Sequence, residues 1–194
     1  MIIGITGRIA AGKETLTSFL RKKEFIYFET SKMLAQELEK RGLEVNRWNM
    51  QNLGDELRER EGVGGLMKML LEKTEPGKNY IFDSLRNPGE ADFLKENVKD
   101  FVLIGVDAPQ KIRFERILKR NKPSDPKTWE EFLKIDARDK GVGEPESGQQ
   151  NAATMAMADF QLYNDGDIGS IHENAKLILG KVNDIVNQKN SLEK

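Results

Sequence analysis

Apolar positions fall into two alternating patterns along the chain. Ile2 to Thr6 forms an unbroken apolar run rather than an in-out alternation, which predicts a strand covered on both faces, as in parallel sheets. Phe25 to Glu29, Tyr80 to Phe82 leading into Asp83, and Phe101 to Val106 leading into Asp107 read as further buried strands, and Phe160 to Tyr163 as a fifth. Between them the spacing turns helical. Leu16, Phe19 and Leu20 follow the first strand, and Met33, Leu34 and Leu38 follow the second, with Ser31 placed to cap. Met50, Leu53 and Leu57, then Leu66, Met67, Leu70 and Leu71, continue across a glycine-rich break at 62–65. Ile112 to Leu118, Trp129 to Ile135, and a stripe of Ile171, Ala175, Ile178, Val182 and Ile185 complete the set.

Strands alternating with helices imply right-handed βαβ units. The expected fold is a three-layer α/β/α sandwich around a five-stranded parallel sheet, with residues 1–194 as one domain. Two stretches interrupt the alternation: a helical insertion at 43–76, and a segment at 120–150 rich in Pro, Gly, Asp and Lys. Both read as flaps, the first for an acceptor and the second as a lid.

Composition narrows the chemistry. The 194 residues include no Cys and one His, so thiolate catalysis, Cys-ligated zinc and disulfides are excluded. His172 lies on a polar stretch without a partner, so any mechanism must use carboxylates, Lys, Arg, hydroxyls, backbone amides or an oxygen-held metal. Formal net charge is −1, which gives no uniform positive field for nucleic acid. The first apolar run is too short to span a bilayer and lacks a basic leader, so a cytoplasmic protein without membrane or nucleic-acid partners is expected, as monomer or homodimer. Met50, Met67, Met69, Met155 and Met157 read as packing.

The strongest motif is Gly7-Arg8-Ile9-Ala10-Ala11-Gly12-Lys13-Glu14-Thr15, which fits G-x4-G-K and then places Glu14 where Ser or Thr is usual. Chance would supply about 0.15 matches in a chain of this make-up, and roughly 0.004 once the match must sit at a strand end before a helix. Glycines let the backbone aim N–H groups inward, the following helix adds its positive end, and Lys13 brings a point charge to the β and γ phosphates. Gly7, Arg8, Ala10, Ala11, Gly12, Lys13, Glu14 and Thr15 are therefore the expected ATP contacts. Glu14 puts full negative charge beside the phosphates unless Mg²⁺ or a cation offsets it, and Thr15 points about 100° further round the helix. Glu14 and Asp83 are the candidate Mg²⁺ ligands.

The GKET ending resembles the GKDT of phage deoxynucleoside monophosphate kinases, and animal phosphomevalonate kinase is similar in carrying an acidic residue after the lysine. Asp83-Ser84-Leu85-Arg86-Asn87-Pro88-Gly89-Glu90-Ala91 resembles the D-x-R-x-x-x-E-A segment of those kinases. Residues 36–65 are similar to small archaeal adenylate-kinase-related proteins. Ala158-Asp159-Phe160-Gln161-Leu162-Tyr163-Asn164-Asp165-Gly166 is similar to the ending of dephospho-CoA kinases. The resemblance implies ATP-dependent phosphoryl transfer to a nucleoside or deoxynucleoside monophosphate, with dephospho-CoA as the alternative acceptor.

Within that resemblance, Asp83 closes a strand at the ligand-binding edge and orients Mg²⁺ or takes the acceptor's proton, or else merely caps a helix. Arg86 meets acceptor phosphate or forms a surface ion pair. Arg58 falls at the acceptor-phosphate position on the insertion, or is an exposed helix arginine. Arg113, Arg116 and Arg120, at i, i+3 and i+7, share one helix face, which a solvated charged stripe explains equally well. Arg120 and Arg138 match lid arginines that offset charge on the transferring group. Asn164 borders the donor base or belongs to a turn. A GTPase is disfavoured, because Asn121 to Asp125 has one residue too many for N-K-x-D and Asp83 begins D-S-L-R rather than D-x-x-G. Nucleotide binding without turnover is the third reading.

Overall fold

The computed structural model describes residues 1–122, 125–166 and 172–182. Five parallel strands form one sheet: β1 (Ile2–Gly7), β2 (Ile26–Glu29), β3 (Tyr80–Leu85), β4 (Phe101–Asp107) and β5 (Phe160–Tyr163). Their order is β2-β3-β1-β4-β5, so β1 is central with β3 and β4 as neighbours. All five expected strands are present.

Successive side chains of the central strands face opposite layers, and both layers are greasy. Ile3, Ile5, Ile81, Val102, Ile104 and Val106 pack with Leu16 and Leu20 of α1 (Lys13–Arg21) and with Ala175, Ile178 and Val182 of the helical stretch 172–182. Ile2, Tyr80, Phe82, Phe101 and Leu103 pack against α2 (Thr30–Lys40), α3 (Arg47–Glu61), α4 (Gly65–Leu71) and α5 (Pro88–Asn97). That two-sided burial explains why the strands read as continuous apolar runs. Ile171 and Ile185 of the C-terminal stripe lie outside the described residues.

A third, smaller cluster lies beneath the glycine-rich loop. Ile9 meets Ile117 of α6 (Gln110–Arg120) and Phe132 of α7 (Trp129–Lys140), with Phe114 and Trp129 packed around them, edge-on to each other. The segment expected as a lid is thus built into the body over much of its length. Its far end is tied as well, since Asn87 Nδ2 donates to Glu146 O and Gly148 O, and Gln150 N donates to Arg86 O at 2.7 Å.

Three local expectations differ. Ser31 is not the cap of α2: the helix begins at Thr30 after Glu29, and Ser31 Oγ donates to Glu29 Oε1 at 2.6 Å from within the first turn. The short helix α8 (Asn151–Ala156) has too few apolar positions for a periodic signal and was not expected. The solvated-stripe reading of α6 also fails, because Arg113 is buried. His172 stacks on Phe19, in keeping with an incidental role.

Candidate functional site

The glycine-rich loop bends tightly between β1 and α1. Ala10 has φ 57° and Gly12 has φ 101°, both in the left-handed region. A Cβ on Gly12 would collide with Asn164 Nδ2, and one on Gly7 with Val106 O, so both positions require glycine. The cradle is braced from outside. Asn164 Nδ2 donates to Ala11 O at 2.9 Å, and Arg116 reaches Asn164 Oδ1 at 2.6 Å and Ala11 O at 3.3 Å. From below, Arg113 donates to Asp136 through both guanidinium arms, at 2.6 and 3.1 Å, and to Ile9 O at 3.3 Å, while Arg8 lies 3.6 Å from Asp136. A fully buried pair of this kind costs more to break than it contributes when made, about 3–5 kcal/mol on loss of one partner.

Lys13 folds back over the loop. Its Nζ donates to Gly7 O at 3.0 Å and Arg8 O at 3.2 Å. Burial, joined by nearby Arg86 and Arg47, lowers its pKa to about 8 against the opposing pull of Asp83 and Asp139.

The neighbouring strand end supplies the opposite wall. β1 and β3 slip register between Ile5 and Thr6, leaving Ser84 as the extra residue with φ 72°. This bulge re-aims the end of β3 toward the cleft, a device common beside binding sites. Asp83 Oδ2 accepts from Tyr27 Oη at 2.7 Å. Burial and the Asp83 carboxylate push the Tyr27 phenol well up, so it remains a donor. Glu14 is exposed at the start of α1.

Between these walls runs a cleft of about 640 Å³ lined by Ala10 to Thr15, Tyr27, Asp83, Arg86, Arg116, Arg120 and Asn164. A smaller chamber of about 50 Å³ opens beside it, lined by Leu34, Gln51, Gly54, Arg58 and Gln149. Ser31, Arg47, Met50, Ser84 and Arg86 line both and form the threshold.

Asp139 organises that threshold. It is fully buried, accepts from Arg86 at 2.6 Å, from Arg47 at 3.3 Å and from Asn151 at 3.1 Å. Burial raises its pKa, but Arg86, Arg47 and Lys13 outweigh this and leave it below the usual carboxylate range. Asn151 in turn donates to Gly7 O at 3.1 Å and accepts from Thr6 at 2.8 Å, so one buried network joins the loop to the arginine pair.

Of the residues expected from sequence, the structure brings together Gly7, Ala10 to Thr15, Asp83, Arg86, Arg120 and Asn164 around one cleft. Arg8 lies beneath the loop on Asp136 rather than facing the cleft. Arg58 borders the chamber, buried and held by Glu90 at 2.8 Å and Asp55 at 2.9 Å. Arg120 is clasped by Asp125 at 2.6 and 2.7 Å. Arg138 does not line the cleft: it stacks 4.2 Å over the Trp48 ring and pairs with Asp55 and Glu144. Asn164 spends its amide on Ala11 and Arg116. Arg47, Asp136, Asp139, Asn151 and Tyr27 were not expected, since each acts on partners far away in sequence.

Residues 3–139 match the family model described as an AAA domain, AAA_18. A UPF0200 protein of Sulfurisphaera tokodaii is 32% identical over 181 residues, covering 93% of this chain and 97% of its own. The chain belongs to the UPF0200 family. Another UPF0200 protein, from Aeropyrum pernix, is 29% identical over 91% of this chain and 90% of its own. The UPF0200 chain has the fold of P-loop kinases. Shikimate kinase from Aquifex aeolicus superposes with TM-score 0.54 at 14% identity over 93% of this chain and 97% of its own, and a gluconokinase from Sinorhizobium meliloti with 0.55 at 12% over 96% and 95%. Among the described residues, no helix is long and apolar enough to cross a membrane.

Proposed function

We propose that this protein transfers the γ-phosphoryl group of ATP to a small phosphorylated acceptor, with a nucleoside or deoxynucleoside monophosphate as the favoured class. The observation that carries this reading is the arginine-lined threshold next to the phosphate cradle. Arg86 and Arg47 converge on Asp139 Oδ1 within the charge field of Lys13, and a separate chamber opens behind them. A simple NTP-binding switch has no use for that second, cationic compartment.

The chain's groups divide the work between them. Main-chain amides of Ala10, Gly12 and Lys13 at the start of α1 cradle the β and γ phosphates, the Ala11 amide being held by Arg8 O at 3.2 Å, and Lys13 binds their oxygens as a point charge. Arg86 and Arg47 hold the acceptor's phosphate in line. Arg116 and Arg120, at the end of α6, line the donor side, where positive charge offsets charge on the transferring group. Asp83 lies at the strand end where it takes the acceptor's proton or orients Mg²⁺. Mg²⁺ takes one or two carboxylates and otherwise phosphate and water oxygens; Asp83 and Glu14, both lining the cleft, would be the carboxylates to hold it. When bound, the ion would neutralise phosphate charge. Catalysis then rests on positioning and electrostatics, as expected for a site without Cys or His.

Steady-state assays with ATP and Mg²⁺ against a panel of nucleoside monophosphates, deoxynucleoside monophosphates and dephospho-CoA test the reading. ADP formation should depend on an added acceptor and yield a phosphorylated product. Equal ATP turnover without any acceptor would establish an ATPase instead, and ATP binding without turnover a non-enzymatic role.

A further inference from the structure

The chamber walls hold two buried polar atoms with no hydrogen-bond partner among the described residues: Arg47 Nε, a donor, and Gln51 Oε1, an acceptor. Gln51 is 3% exposed, and its amide nitrogen donates to Gln149 Oε1 at 3.3 Å, which orients the amide and leaves its oxygen free. Buried polar atoms in native proteins nearly always find a partner, so an orphaned pair on one wall marks where something else completes them.

A second feature of the same wall is independent of hydrogen bonding. Gly54 lies inside α3, where glycine is among the poorest helix formers. Packing does not demand it. The nearest atoms a Cβ there would meet belong to Arg58 and Leu34, no closer than 3.5 Å, in ordinary contact and with no unusual φ. Both of those residues line the chamber, so the missing side chain is one that would narrow it.

We propose that Gln51 and Gly54 select the acceptor: its far end enters against Gly54 and gives an N–H to Gln51 Oε1, while its phosphate meets Arg47 Nε and Arg86. This deepens the kinase reading and rests on it. A volume of about 50 Å³ admits the edge of a ring rather than a whole nucleotide, and the opening onto the larger cleft leaves room for the remainder. The preferred acceptor is therefore a nucleoside monophosphate whose base edge carries a hydrogen-bond donor. A base that offers no N–H along that edge would leave Gln51 unsatisfied.

Adenosine and inosine 5′-monophosphates carry such an N–H, and purine riboside 5′-monophosphate does not. With the full-length protein, kcat/KM for the N–H-bearing acceptors should exceed that for purine riboside monophosphate by about tenfold or more. Gln51→Leu should abolish the preference. Gly54→Ala should raise acceptor KM at least about tenfold while ATP KM holds and the thermal midpoint stays level or rises. Retention of the preference in Gln51→Leu, or acceptor KM within twofold of wild type in Gly54→Ala, overturns the proposal while leaving a kinase intact. If no monophosphate is phosphorylated, calorimetric titration of the same three compounds separates the two ideas. Binding that tracks the N–H and is lost in Gln51→Leu keeps the chamber assignment without the kinase, and no binding overturns both.

Discussion

Lys13 ties function and stability to pH with opposite signs. Burial and Arg86 lower its pKa to about 8, against 10.5 for a free lysine. Phosphate needs the ammonium, so ATP affinity measured by calorimetry should be level below pH 8 and fall as pH rises through it, by up to about tenfold per unit. Stability moves the other way. Between about pH 8 and 10.5 the unfolded chain binds more protons at this position than the folded one, so the contribution from Lys13 to folding free energy rises across that window. Lys13→Met should flatten the pH dependence of both measurements. If wild-type affinity instead stays level to pH 10, the ammonium is not the phosphate ligand. The lysine itself was legible in sequence because its neighbours are local: two glycines and a helix start within a few positions. Arg47 and Asp139 were not, since Arg47 lies 92 positions from the carboxylate it meets and only the fold brings them together. Arg138 shows the converse, a lid-like arginine in sequence that the fold spends on Trp48 and Asp55.

Elements were legible wherever their apolar period was long. β1, β3 and β4 announced themselves through two-sided burial, whereas the edge strand β2, expected to be buried, is only half-covered, and α8 is six residues long and gave no period. Capping was less legible, because a cap is defined by geometry at a single residue. Two capping boxes show how much context changes the energetics of one motif. Thr128 accepts from Glu131 N at the exposed start of α7, and Glu131 reaches back to the Thr128 amide. Thr128→Ala should cost about 1 kcal/mol. Asn87 accepts from Gly89 N at the start of α5, but it is buried and its amide nitrogen also donates to Glu146 O and Gly148 O. Asn87→Ala removes the cap and strands two carbonyls, so its cost should reach about 3 kcal/mol. Denaturant unfolding of both variants checks the ranking. Equal losses would mean that the segment before α8 is not held through Asn87.

At the scale of the molecule, strand order places the chemistry. The chain leaves β1 for β2, returns inward to β3 and then crosses to β4, so the connections diverge on either side of β1. Ligands bind open α/β sheets at such a switch, beyond the carboxyl ends of the strands. Here that edge gathers the loop after β1, the bulge at Ser84 and the arginines of α6, while Asp139 and Asn151 join the two sides beneath. Alternating strands and helices foretold this edge, but not the buried network under it. Because the cleft walls come from the loop after β1, α1, β3, α3 and α6, a nucleotide filling it binds the folded chain alone and stabilises the whole domain. At a hundredfold excess over its dissociation constant the gain is about 2.7 kcal/mol. For a chain of this size that corresponds to a rise of roughly 5–11 °C in melting temperature. Lys13→Ala should lose most of that shift while its own ligand-free melting temperature falls little, since the ammonium's hydrogen bonds among the described residues go to two loop carbonyls. Calorimetric melts with and without ATP·Mg²⁺ decide it: an undiminished shift in Lys13→Ala would place the nucleotide somewhere other than this loop.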